Sequence, residues 1–120
     1  MPFGGGAHTA PALAEAEAAL TQAQVEYNDT RLALEDTLTL ARLELERANA
    51  TLEQTARRRT LAEESLELGR RAFHLGETDL VRLLQTQADA LSARHDHEIR
   101  QLEYGQALAR LNQALGVIPQ

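Results

Sequence analysis

Apolar residues recur every seven positions along most of the chain. In the first half, Leu38, Leu45, Leu52, Arg59, Leu66 and Phe73 form one such row. A second row, Leu34, Ala41, Ala48, Thr55, Ala62 and Gly69, interleaves with it at the alternating four-and-three spacing of a coiled coil. One row is mostly large and the other mostly small. Breakers are few. Pro2 and Gly4 to Gly6 mark a flexible lead-in over residues 1–8, and Thr9 is a candidate N-cap with Pro11 in the first helical turn. The next strong break is Leu75-Gly76-Glu77-Thr78, where Gly76 can take positive φ and Thr78 can cap a new helix. Gly116 is placed to end that second helix as a C′ glycine, with Pro119 shortly after and residues 117–120 as a tail. The pattern therefore predicts an all-α chain with helices at about 10–74 and 79–115. At 1.5 Å per residue these are about 97 Å and 55 Å long, well beyond globular dimensions.

Folding the chain at Gly76 predicts a long antiparallel hairpin. Residues facing each other at one level should then have numbers with a near-constant total. Phe73 falls opposite Leu80, Leu66 opposite Ala88, Leu52 opposite Leu102, Leu45 opposite Leu108 and Leu38 opposite Leu115. The small row pairs likewise, Gly69 with Leu84, Ala62 with Leu91 and Ala48 with Gly105. Small residues opposite Leu allow two backbones to approach closely. The pairing ends at Leu38, yet Leu13, Leu20, Tyr27 and Leu34 continue the repeat beyond it. That stripe predicts self-association or a partner elsewhere in a larger protein. An alternative uses the weak breaker Asn28-Asp29-Thr30 to fold residues 10–28 back as a third helix. Leu40, Leu43, Leu61 and Leu68 on the first helix, and Leu83 and Leu111 on the second, lie off the expected seam and predict a further apolar face.

Composition narrows the function. Ala and Leu supply 42 of the 120 residues and Val plus Ile only five, a balance that favours helix over strand. All 12 basic residues are Arg, against 18 acidic ones, and a net charge of -6 argues against nucleic-acid binding. With no Cys, disulfides and thiolate metal sites are excluded. No apolar run reaches the roughly 20 residues that span a bilayer as a helix. The N-terminus lacks the basic-then-apolar order of a signal peptide, so any export signal is expected to lie outside this sequence.

Candidate chemistry is thin. His95-Asp96-His97-Glu98 resembles a metal motif, but residues two apart on a helix point to different sides, so His95 and His97 cannot share an ion. His95 and Glu98 together offer only two ligands. No metal and no cofactor is expected. The hairpin alignment instead brings Arg59 opposite His95 and Thr55 opposite Glu98. These four residues predict a polar layer with an Arg59–Glu98 ion pair that fixes register at some cost in stability. The run Arg57-Arg58-Arg59 reads as a solvated face. Ser65, His74 and Asp79 make no nucleophilic triad, because a hairpin has no concave pocket to exclude water. The chain is not expected to be an enzyme.

Three segments resemble the TolC-like outer-membrane efflux protein family, and its heavy-metal-efflux branch in particular. The first is the opening Pro2-Phe3-Gly4-Gly5-Gly6-Ala7-His8, similar to the family's exit from its last barrel strand. The second runs from Leu61-Ala62-Glu63-Glu64-Ser65-Leu66 through Ala72-Phe73-His74-Leu75-Gly76-Glu77-Thr78-Asp79-Leu80 to Leu84. The third is the ending from Tyr104 to Ala114-Leu115-Gly116. The resemblance implies a homotrimeric channel of the Gram-negative outer membrane, with two repeats per protomer, a β-barrel and a periplasmic helical tunnel. Residues 1–8 would be the post-barrel linker and residues 9–116 the periplasmic hairpin of the second repeat. A periplasmic adaptor would meet the hairpin tip at Leu75, Gly76, Glu77 and Thr78, and an inner-membrane pump would act indirectly through it. Asp79, Arg82 and Gln85 would stand near the tunnel mouth. Arg82 and Gln85 depart from the family, whose drug exporters carry acidic residues there. Arg82 is then either part of a cationic collar around the lumen or a solvated or ion-paired surface residue. A rival reading of the same residues is a free-standing coiled-coil interaction module with no channel role.

Overall fold

A computed structural model describes residues 3–117, with side chains from 10 to 116. It contains two helices, α1 at Phe3–His74 and α2 at Leu80–Val117. The expected all-α helical hairpin is what the chain forms. The chain divides into two units, residues 1–37 and 38–120.

In the first unit the described backbone is uninterrupted helix. Two expectations fail there. The helix begins at Phe3 rather than near Ala10, so Thr9 is an interior residue and not a cap, and the described part of the lead-in is helical. Adding turns to an existing helix needs no new nucleus, so three glycines disfavour the extension without forbidding it. Pro11 is inside the helix, where its missing N–H leaves the Ala7 carbonyl without its helical donor. Asn28-Asp29-Thr30 does not break the helix either, which removes the third-helix alternative. Residues 10–33 are exposed throughout, including Leu13, Leu20 and Tyr27, and Leu34 is half-buried.

The second unit is the hairpin. On α1 both rows predicted from the sequence face inward as far as Gly69, whereas Phe73 and its expected partner Leu80 are exposed at the tip end. Ala41 and Thr55 are buried, while Leu38, Leu45, Ala48, Leu52, Arg59, Ala62, Leu66 and Gly69 are half-buried. The axial alignment also agrees with expectation: Glu44 pairs with Arg110 and Arg58 with Asp96, both totalling 154.

On α2 the predicted face is wrong. Leu83, Ala90, Ala93, His97 and Ala107 are buried, with Leu111 half-buried beside them. Leu84, Ala88, Leu91, Leu102, Gly105, Leu108 and Leu115, assigned to the seam, are exposed, Leu102 by 70%. Gly69 accordingly faces Leu83 and Thr86, not Leu84. A constant total fixes the height of a residue along the helix but not its direction, and adjacent residues point about 100° apart. Two heptad stripes run along α2, one rich in Leu and one in Ala. The Ala stripe faces α1, because Leu side chains from α1 already fill the space and small residues opposite them let the helices close. Leu40, Leu43, Leu61 and Leu68 are exposed as expected, whereas Leu83 and Leu111 are not. Gly116 is inside α2, which runs to Val117 without positive φ at that glycine. Pro119 lies outside the described residues.

The two faces of α2 differ measurably. Ala93 is 1% exposed, so Ala93→Leu forces the helices apart and costs about 1–3 kcal/mol. Leu91 is 63% exposed, and Leu91→Ala stays within about 0.5 kcal/mol of the parent. Urea unfolding followed by circular dichroism separates the two, and equal costs would return Leu91 to the interface.

Candidate functional site at the hairpin tip

The tip is built by backbone hydrogen bonds. Gly76 has φ 77°, the left-handed region. The Glu77 N–H donates to the Ala72 carbonyl at 2.8 Å and the Gly76 N–H to the Phe73 carbonyl at 3.1 Å. This is the six-to-one and five-to-two pattern of a Schellman motif with glycine at C′. It satisfies carbonyls that the end of α1 would otherwise leave open.

The start of α2 is capped by Asp79, not by Thr78. The Arg82 N–H donates to Asp79 Oδ1 at 2.8 Å, which places Asp79 at the N-cap with its bond to the third helical residue. Its negative charge also sits at the positive end of the helix. The Thr78 hydroxyl oxygen is buried and has no hydrogen-bond partner among the described residues. Around this rigid turn the apolar side chains point outward. Leu75 is 72% exposed, and Leu80 and Val81 are exposed beside it, with Glu77 between them in sequence. Leu80 and Val81, which were not among the tip residues expected from the sequence, join Leu75 on the exposed surface of the turn. Their signal was a pair of adjacent apolar residues, which one helix face cannot bury together. Arg82 and Gln85 are exposed one turn into α2.

The polar layer lies farther along the hairpin and differs from expectation. His97, not Glu98, meets Thr55. The Thr55 Oγ1 to His97 Nδ1 distance is 3.3 Å, and both residues are buried. Thr55 Oγ1 is also 3.1 Å from the Thr51 carbonyl and 3.0 Å from the Leu52 carbonyl. The direction of the Thr55–His97 bond follows the imidazole tautomer, since the hydroxyl can donate to Nδ1 or accept from it. His95 and Glu98 are exposed, on the outward stripe of α2. Arg59 pairs within its own helix, its Nε donating to Glu63 Oε1 at 3.1 Å, and Arg94 reaches the same oxygen at 3.3 Å. The hydrogen bond from Arg59, then that from Arg94, hold the Glu63 carboxyl below its ordinary value. Hydrogen bonds to Glu103, with Asp96 adding to them, push the Arg100 guanidinium up. The rotation of α2 accounts for all these exchanges of partner.

Among the described residues no three His, Asp or Glu side chains gather as metal ligands. Among the described residues, too, no helix is long and apolar enough to cross a membrane. Open surface grooves line the hairpin, one of ≈ 500 Å³ bordered by Glu44, Arg47, Arg100 and Arg110 and one of ≈ 180 Å³ bordered by Leu66 and Leu91. Neither shuts out water as a reaction site requires.

The hairpin thus has a partly apolar tip and carries leucines on its outside. The outer membrane efflux protein family matches residues 3–117, so the chain belongs to that family. Its members are channel proteins of the outer membrane with a periplasmic tunnel; they form trimers and work with adaptor proteins. No curated protein and no solved structure matches the chain.

The left-handed backbone at Gly76 gives a direct test of the tip. Gly76→Ala introduces a Cβ where L-residues are strained and lowers hairpin stability by about 1 kcal/mol. Thermal unfolding measures it; an unchanged midpoint would mean that the turn does not need positive φ.

Proposed function

We propose that this chain is the periplasmic tunnel hairpin of the second repeat of a trimeric outer-membrane efflux channel, in the heavy-metal-efflux branch. Its tip docks a periplasmic adaptor, which links it to an inner-membrane pump in a tripartite export system. The cargo is metal ions or small toxic compounds. The N-terminal end of α1 leads toward the barrel.

The observation that carries this reading is the tip. A turn held by two main-chain bonds and an Asp79 cap presents Leu75, Leu80 and Val81 to solvent. Preformed, partly apolar surfaces are what a docking partner needs, since little order has to be imposed on binding. Leu75, Gly76, Glu77 and Thr78 form the adaptor contact in this reading, extended by Leu80 and Val81. Asp79, Arg82 and Gln85 stand at the tunnel mouth. Should Arg82 face the lumen, three copies would give that mouth a cationic collar; otherwise it is a solvated surface residue.

In the full channel, a photo-crosslinking residue at position 77 or 78 should capture the adaptor, and one at position 53, far along α1, should not. Capture at 53 alone would overturn the docking assignment. The purified chain should also self-associate through Leu13, Leu20, Tyr27 and Leu34. Leu20→Asp then lowers the sedimentation-average mass, and an unaltered mass would remove that stripe as a contact.

A further inference from the structure

Thr55 and His97 are the two polar residues buried in the seam among the described residues, 7% and 8% exposed. His97 takes the heptad position that Leu83 and Ala90 hold nearer the tip, and Ala93 shares its inward face. On α1, Leu52 and Ala56 flank Thr55 and are half-buried. An alanine or leucine would complete this seam, so what sets His97 apart is its capacity to take up a proton.

The neutral ring carries one hydrogen bond to Thr55 and no charge. The protonated ring can still donate from Nδ1 to the hydroxyl, which lies within reach of the Thr51 and Leu52 carbonyls. The bond therefore does not oppose the proton; the surroundings do. Among the described residues α1 is the helix packed on His97, and within a turn of Thr55 it carries Arg57, Arg58 and Arg59 against one acid, Glu53. Within a turn of His97 on α2 are Arg94, Arg100, Asp96, Glu98 and a second imidazole, His95. Asp96 is already held by Arg58 at 3.4 Å and by Arg100 at 3.3 Å. Glu53 is exposed and within reach of Asn49, and Glu98 is exposed on the outward stripe. His97 forms no ion pair among the described residues. A charged ring there would meet five arginines and no carboxylate at ion-pairing distance, and a buried charge without a partner is costly.

We infer that His97 is a pH-sensitive latch: its neutral ring closes the middle of the hairpin, and its protonation loosens the seam at that level. The Gly76 turn and the Asp79 cap lie about four to five helical turns away and contain no part of it. The latch belongs to the hairpin alone and does not rest on the proposed function.

An open seam takes the proton and a closed one excludes it, so closure strengthens as pH rises and weakens as pH falls through the imidazole range. For one proton and a solvated imidazole titrating near ~6.5, the opening constant should rise roughly tenfold from pH 7.5 to pH 5.5. Amide hydrogen exchange by mass spectrometry on the 120-residue chain, corrected for the intrinsic rate, reads this locally. Protection over residues 51–59 and 93–101 should fall by that factor, while protection over 62–72 and 83–90 should hold. His97→Gln keeps a polar group beside Thr55 without the titration, and its protection at the latch should be equal at the two pH values. His95→Gln, on the exposed stripe, should behave as the parent. Arg58→Gln removes a nearby positive charge and frees one side of Asp96, so it should shrink the drop even if His97→Gln fails to fold. Far-ultraviolet circular dichroism establishes that each variant stays helical. Parent protection indifferent to pH, a drop in His97→Gln or Arg58→Gln as large as in the parent, or a drop spread evenly to the tip would each overturn the inference.

Discussion

The hairpin depends on how closely α2 can approach α1, and three alanines set that distance. Ala90, Ala93 and Ala107 are among the most buried side chains of the described residues, on the face of α2 that meets α1. Little apolar area is buried per residue in such a seam. Its cohesion comes from the many atom contacts that short separation permits, each small and collectively large. Polar groups then hold the alignment. The Thr55–His97 contact sits inside the seam, while Arg58–Asp96, Glu63–Arg94 and Glu44–Arg110 bridge its margins. The marginal pairs are exposed and individually weak, so their contribution is alignment more than stability.

Because alanines do the inner work, the leucines of α2 are released to the outside. A solitary hairpin exposes those leucines to water at a cost, and the family the chain belongs to is one whose members form trimers. The tip obeys the same economy of parts. One glycine with positive φ and one aspartate cap turn the chain, so the remaining tip side chains are free to face outward.

Most of the fold was legible in the sequence, and the reason lies in its periodicity. The α1 face was read correctly because its large row and its small row are adjacent and both point inward. The axial alignment was also correct, because the Gly76 turn leaves only one way to count levels. The rotation of α2 was misread. Its Leu-rich stripe looked like the core by size, but a seam needs one large and one small partner, and α1 had already supplied the large one. The polar layer failed for the same cause: His97 and Glu98 are neighbours in sequence, and a turn of about 100° exchanges them. Thr9 and Gly116 were read as helix ends from local preference, which a long helix overrides once formed. The tip glycine was legible because glycine adopts that left-handed backbone without the strain of a Cβ. Leu80 and Val81 were not, since their exposure depends on which side of α2 faces its neighbour.

The Asp79 cap constrains how the tip of the hairpin can diverge. Oδ1 of Asp79 is committed to the Arg82 backbone, so a residue at position 79 without a side-chain acceptor also unfastens the start of α2. Arg82 and Gln85 contribute only side chains to solvent and carry no such double duty. Ionic character at this end of the hairpin can therefore drift freely at 82 and 85, while position 79 is tied to an acceptor of the same shape.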